Sequence, residues 1–250
     1  MLVGELERVL RERRVKLVYV VPDFHNPNGT TLSLARRLAL LELARRHDFA
    51  IVEDSAYSEL RFRGEHLPSL AALDEAAVVF HLGTFSKTLA PGLRIGWIRS
   101  PHREAMRALV SAKQAADLHN ATLAQRAVAT LLETFDFDGH LGRVRDAYRK
   151  RCEAMVATLA EFPSVIRWTR PDGGMFVWVE LAAGIVADDL VDRAAESLIA
   201  FVPGSSFLTD HAPSPYLRLS FSNHQADLIA EGTRRFGHLV TAASRTCTKA

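Results

Sequence analysis

The chain has 250 residues, of which 48% are hydrophobic and 24% charged, a composition typical of a soluble globular protein. Its formal net charge is +2, and no basic stripe interleaved with aromatic residues is present, so we expect no nucleic-acid partner. No apolar run approaches the roughly 20 residues of a membrane span, and because the first 14 residues have the pattern of a charged amphipathic helix we expect no signal peptide there. The two cysteines, Cys152 and Cys247, lie far apart, which favours a reducing cytoplasm over a disulfide framework.

The first half of the chain alternates helical and strand patterns. Helical spacing predicts helices over 2–14 and 34–47, and we interpret the loop 135–139 as a domain boundary. Continuous apolar runs predict buried strands over 15–21, 49–52, 78–82 and 93–98. This alternation predicts an α/β domain over 1–138 with a partial, mixed and mostly parallel sheet flanked by helices.

The second half has a different character. A long helical pattern covers 141–162, a second covers 187–198, and a third closes the chain at 225–240. Short strands are predicted between them over 165–168, 175–180, 200–202 and 216–221. We therefore expect a smaller α+β domain over 139–240, followed by a disordered tail over 241–250.

Three polar residues follow predicted strands. Asn26 lies in the turn after the first strand, Asp54 ends the second, and Lys87 follows the third. In parallel sheets ligands bind outside the carboxyl ends of the strands, so we expect these three residues to converge on one crevice.

The segment around Lys87 is rich in groups that bind anions. Hydroxyls at Thr84 and Ser86, glycines at 83, 92 and 96, and Arg94 surround the lysine in sequence. Glycines let a backbone approach an anion closely, and hydroxyls together with an arginine can hold phosphate oxygens. A lysine in this setting is a candidate for covalent chemistry with a carbonyl group. The alternative is a surface lysine in a polar turn.

Each remaining candidate also has a structural alternative. Asp54 can be functional or bound by nearby backbone groups, and Tyr57 follows it three residues later. Asn26 belongs to a common type of turn sequence. Arg218 alternates with apolar neighbours on a strand, so it is either an exposed residue or a bidentate clamp for a carboxylate.

Taken together, these motifs are similar to those of a known family. Asn-Pro-x-Gly at 26–29, Asp-x-x-Tyr at 54–57, Ser-Lys at 86–87 with Arg94, and the late Arg218 resemble fold type I pyridoxal-phosphate enzymes of the class I/II aminotransferases. Within them the chain resembles the α-aminoadipate aminotransferase group and the aminotransferase-like domain of MocR regulators. The stretches that carry the resemblance are 21–29, 52–57, 83–97, 112–119 and 170–178, and it extends from about residue 5 to about residue 240.

The resemblance implies a role for each of these residues. Lys87 would bond covalently to pyridoxal 5'-phosphate and move the substrate's α-proton, and Asp54 would pair with the pyridinium nitrogen. Tyr57 and Asn26 would bind the cofactor's phenolic oxygen. Arg218, with Asn26, would bind the substrate. The phosphate would be held by Thr84, Ser86 and Arg94, and no metal is expected.

The resemblance implies an enzyme that transfers an amino group between an amino acid and a 2-oxo acid, working as a homodimer when its large domain is complete. Family members carry a long segment before the equivalent of Leu2, so we expect an N-terminally truncated chain whose activity is impaired. Two alternatives stay open: a ligand-sensing domain of a MocR-type transcription regulator, and a catalytically dead remnant.

Overall fold

The computed structural model describes residues 1–247 and divides into two compact units, which we describe separately. The first unit contains Met1–Asp23, Thr31–Glu59 and Gly64–Gly142. The second contains Phe24–Thr30, Leu60–Arg63 and the chain from Arg143 onward. None of the helices in the described part of the chain is long and apolar enough to cross a membrane.

The first unit is built on a four-stranded sheet in the order β1-β2-β3-β4. Strands β1, β2 and β3 are parallel, and β4 is antiparallel to β3, so the sheet is mixed and mostly parallel as predicted. The strands are β1 (Leu17–Val20), β2 (Ala50–Asp54), β3 (Val79–Thr84) and β4 (Gly96–Arg99). The helices are α1 (Val3–Glu12), α2 (Leu34–His47), α3 (Leu70–Leu73), α4 (Arg103–Asp117) and α5 (Thr122–Thr134).

One face of this sheet carries the apolar core of the first unit. Alternate strand residues such as Val18, Val20 and Ile51 are buried there, packed with Leu40 of α2 and Leu70 of α3. The opposite face of β1 is open, because Leu17 and Tyr19 are 52% and 56% exposed. The period-2 alternation of the strand produces this division into a buried and an open face.

A buried ion pair fixes the chain just after β1. Arg37 of α2 is completely buried, and its Nη2 donates a hydrogen bond to Asp23 Oδ1 at 2.7 Å. Its Nε donates to the Leu32 carbonyl at 3.0 Å and its Nη1 to the Pro68 carbonyl at 2.9 Å. A buried charge needs this degree of pairing, so the guanidinium joins three separate segments of the first unit.

The second unit has an antiparallel sheet in the order β5-β6-β8-β7. Its apolar core joins the two inner strands to two long helices, with Val177 and Leu217 packed against Leu159 and Phe236. The strands are β5 (Ile166–Trp168), β6 (Phe176–Leu181), β7 (Val202–Pro203) and β8 (Tyr216–Ser220). The helices are α6 (Phe137–Leu159), α7 (Val191–Glu196) and α8 (Ala226–Cys247).

The two units differ in detail from the division predicted at residue 138. Their boundary falls after Gly142, inside α6, and two short segments from the first half belong to the second unit. Backbone contacts explain this: Arg61 forms a β-bridge with Gly173, and the Gly174 N–H donates to the Leu60 carbonyl. Such pairings join residues more than 100 positions apart and leave no local signal in the sequence.

The last helix also differs from the prediction. Helix α8 continues to Cys247, so residues 241–247 are helical and not part of a disordered tail. The apolar stripe of the helix explains the extension, because Phe236, Val240 and Ala243 are all buried in the core of the second unit. The rest of the predicted tail, residues 248–250, lies outside the described residues.

Candidate active site

Asp54 is the last residue of β2, and both of its carboxylate oxygens accept hydrogen bonds. Oδ1 accepts the N–H of Ala56 at 3.1 Å, and Oδ2 accepts the hydroxyl of Tyr19 at 2.5 Å. Partial burial raises the pKa of the Tyr19 phenol well above its ordinary value, and the hydrogen bond to the Asp54 carboxylate raises it further. Tyr57 is buried near them. The Asp54 side chain is therefore held from two directions.

The Lys87 loop begins directly after β3 and is shaped by its own backbone. Thr84 Oγ1 accepts the N–H of Ser86 at 3.1 Å and donates to the Ile95 carbonyl at 3.3 Å. The N–H groups of Leu89 and Ala90 both donate to the Phe85 carbonyl. The result is a tight loop with Lys87, which is half-buried, near its middle.

The parallel pairing of β2 and β3 brings Asp54 and the Lys87 loop to one edge of the first unit. Asp54 is the register partner of Leu82, two residues before β3 ends at Thr84. The N–H of Ser55 donates to the Leu82 carbonyl and extends this pairing by one bond. Strand-end polar groups on adjacent parallel strands are the usual construction of a ligand site.

Arg94 and Gly83 were both assigned to anion binding from the sequence, and the structure gives each a local conformation or packing of its own. Arg94 has left-handed backbone angles (φ +55°) at the end of a short 3-10 turn, Pro91–Leu93, and its exposed side chain donates from Nη1 to the Pro91 carbonyl at 3.2 Å. Gly83 is required by packing, because a Cβ there would lie 2.2 Å from the Trp97 ring. The anion-binding argument from the sequence does not apply to this glycine.

Asn26 and Arg218 meet in the second unit. Arg218 Nη1 donates a hydrogen bond to Asn26 Oδ1 at 2.6 Å, although 192 positions separate the two residues. The guanidinium lies over the Phe176 ring, 4.1 Å from its centroid, and 5.2 Å from the centroid of Phe207. The amide and two aromatic rings thus fix the orientation of the planar cation.

The turn that carries Asn26 packs closely on the start of β6. Gly29 has φ +66°, and a Cβ there would lie 2.9 Å from the Phe176 carbonyl oxygen and 3.3 Å from Pro171 Cβ. Only glycine tolerates both this backbone conformation and this approach. The Asn-Pro-x-Gly sequence therefore positions the Asn26 amide within the second unit.

Sequence reasoning missed Tyr19 and the two rings against Arg218. Tyr19 is the only polar side chain in β1, placed between the buried Val18 and Val20, and this alternation was an available signal. The contacts of Phe176 and Phe207 had no comparable signal, because Phe207 ends a separate short 3-10 helix, Gly204–Phe207, and its contact with Arg218 joins segments distant in sequence from the Asn26 turn.

The model of the class I and II aminotransferases matches residues 1–236. The chain belongs to this aminotransferase family. It is 41% identical over 242 residues to an aromatic-amino-acid aminotransferase of Thermococcus litoralis, covering 94% of this chain and 58% of that protein. It is 44% identical over 236 residues to the 2-aminoadipate transaminase of Thermus thermophilus, covering 93% of this chain and 59% of that one.

The fold of this aminotransferase-family chain also matches solved structures. The α-aminoadipate aminotransferase LysN of Thermus thermophilus, solved with N-(5'-phosphopyridoxyl)-L-leucine, superposes with a TM-score of 0.91 at 42% identity. The match covers 96% of this chain and 62% of that one. The predicted family and fold class are confirmed, and the chain spans about 60% of the length of these relatives.

Proposed function

We propose that the protein is a pyridoxal-phosphate-dependent aminotransferase that moves an amino group between an amino acid and a 2-oxo acid. The observation that carries the proposal is the placement of Asp54 and the Lys87 loop at the ends of two paired parallel strands. Family membership supports it, since relatives at 41% and 44% identity are named as an aminotransferase and a transaminase.

The side chains present in the first unit suit this cofactor. Lys87 offers an amine for covalent attachment, and the Asp54 carboxylate accepts two identified hydrogen bonds out of a capacity of about four. Oxygen acceptors therefore remain for a pyridinium N–H. When bound, the cofactor supplies an electron sink that stabilises negative charge at the substrate's α-carbon.

Each residue then has a task that its chemistry allows. With the cofactor bound, Lys87 would take the proton from the substrate's α-carbon and return it, and Asp54 would hold the proton on the ring nitrogen. Thr84, Ser86 and Arg94 bind phosphate oxygens. The family resemblance assigns the phenolic oxygen to Tyr57 and Asn26.

In the second unit, Arg218 binds the substrate's α-carboxylate. Its Nη1 bond to Asn26 and the stacked Phe176 ring restrict the plane of the guanidinium, so a carboxylate meets a fork of fixed orientation. Fixing the carboxylate restricts how the α-carbon is presented for reaction.

The test is the site of covalent attachment. The protein is incubated with pyridoxal phosphate, reduced with borohydride and mapped by peptide mass spectrometry. We expect the label on Lys87. Lys87→Ala should abolish the label. The matched control is Lys113→Ala, which removes an exposed lysine paired with Asp117 at 2.6 Å and should leave labelling unchanged. A label on Lys113 or Lys16 would contradict the proposal.

A second variant separates attachment from turnover. Asp54→Asn should still label at Lys87, because the covalent bond does not need the carboxylate. Turnover of an amino acid with a 2-oxo acid should fall by orders of magnitude, because the electron sink is weakened. Normal turnover in this variant would refute the role of Asp54.

Assembly as a homodimer and a cytoplasmic location stay predictions. Light scattering of the purified protein measures its oligomeric state.

A further inference from the structure

Tyr19 lies on the same sheet face as Asp54, one strand away. Its register partner on β2 is Val52, two residues before Asp54, and side chains two apart on a strand point to the same face. A diagonal neighbour of this kind is within reach of a long aromatic side chain. Although 56% of Tyr19 is exposed, its hydroxyl reaches Asp54 Oδ2.

The bond has the geometry of a charge-assisted hydrogen bond. Its length of 2.5 Å lies in the range for O–H donors to carboxylates. The Ala56 N–H holds the other oxygen at 3.1 Å, so rotation about the Cβ–Cγ bond of Asp54 would break one or both contacts. Two anchors on two oxygens define one orientation of the carboxylate.

We propose that Tyr19 is a positioning residue that holds the Asp54 carboxylate in the orientation needed by the cofactor's ring nitrogen. The proposal deepens the proposed function and rests on it. Partial burial and the neighbouring Asp54 both raise the pKa of the Tyr19 phenol, so the hydroxyl keeps its proton and stays a donor at neutral pH. The ring nitrogen uses acceptor positions on Asp54 that the two anchors leave available.

The hydrogen bond itself is tested without cofactor. The chain has four tyrosines, so ring-labelled tyrosine gives a simple ¹³C NMR spectrum, and Tyr19→Phe assigns the relevant signal. Tyr19 should still be protonated at the pH where an ordinary phenol, with a pKa of about 10, is half ionised. In Asp54→Asn it should ionise at lower pH than in the wild type. Ordinary titration in the wild type, or no response to Asp54→Asn, would overturn the proposal.

Repeating the titration with pyridoxal phosphate distinguishes positioning from displacement. A positioning residue keeps its bond to Asp54 when the cofactor binds, so the pKa of Tyr19 should remain raised. If the ring nitrogen instead replaces the Tyr19 hydroxyl, the phenol pKa should fall towards its ordinary value, and the proposal fails.

The functional consequence is measured by cofactor affinity. Tyr19→Phe should weaken binding of pyridoxal phosphate by about tenfold, equivalent to about 1.4 kcal/mol. The matched control is Tyr216→Phe, which removes a different tyrosine–carboxylate bond, to Glu180 at 3.3 Å, and should leave affinity unchanged. Circular dichroism verifies that both variants are folded.

A double-mutant cycle shows whether Tyr19 acts through Asp54. In the Asp54→Asn background, Tyr19→Phe should have little further effect on affinity, because the carboxylate that it holds is gone. The same tenfold loss in both backgrounds would show an independent role and refute positioning. Failure of the proposed function is recognised separately, because Lys87 would then carry no label after borohydride reduction. That result does not depend on how Tyr19 titrates in the cofactor-free protein.

Discussion

The proposed carboxylate clamp, Arg218, allows a quantitative prediction for a single substitution. Arg218→Lys keeps the positive charge but removes the planar fork, which is not a conservative change where binding is bidentate. In the structure the guanidinium donates to Asn26 Oδ1 at 2.6 Å and stacks on Phe176 at 4.1 Å. A lysine ammonium offers a single point charge in place of this fixed plane.

The expected loss follows from the contacts. A bidentate carboxylate loses one of its two hydrogen bonds to a charged group, worth about 1.5–3 kcal/mol. Substrate binding should therefore weaken by about 10- to 150-fold. The change in stacking on the aromatic rings is worth about 0.5–1 kcal/mol. Affinity for pyridoxal phosphate should change by less than about threefold, because Arg218 itself is assigned no contact with the cofactor.

The assay compares two dissociation constants. The visible spectrum of cofactor-loaded protein is titrated with an amino acid, and cofactor-free protein is titrated separately with pyridoxal phosphate. Arg167→Lys is the matched control, because Arg167 also lies on a strand of the second unit but is exposed. Equal loss of both affinities in Arg218→Lys would indicate a structural role, and an unchanged substrate affinity would refute the clamp.

Two further predictions concern buried groups. Arg37→Met removes the buried guanidinium that pairs with the Asp23 carboxylate, so the free energy of unfolding in urea should fall by about 3–5 kcal/mol. Arg45→Met removes an exposed ion pair and should change the free energy of unfolding little. Similar losses in both variants would contradict this reasoning. Burial raises the pKa of the Cys152 thiol to about 12 and keeps reagents away from it. In a Cys247→Ser variant, iodoacetamide should therefore alkylate Cys152 only in denaturant. Rapid labelling of the folded protein would contradict the burial of Cys152.

The sequence by itself determined the elements and much of the chemistry of the candidate site. Helical and strand periodicities predicted the α/β first half and the α+β second half, because they arise from local backbone geometry and from burial of one face. The same patterns placed Asp54 and Lys87 just after strands. Because the strands were predicted to be parallel, Asp54 and Lys87 were also predicted to lie at the same edge of the sheet.

Only the tertiary structure decided which distant side chains meet. The bond between Asn26 and Arg218, the bond between Tyr19 and Asp54, and the place of residues 24–30 in the second unit all depend on strand register and loop packing. A register shift of one residue would turn Tyr19 into the core and away from Asp54. The alternation in β1 indicates which face Tyr19 takes, but the partner of each of these side chains is set by the packing of the whole chain and could not be derived from the order of the residues.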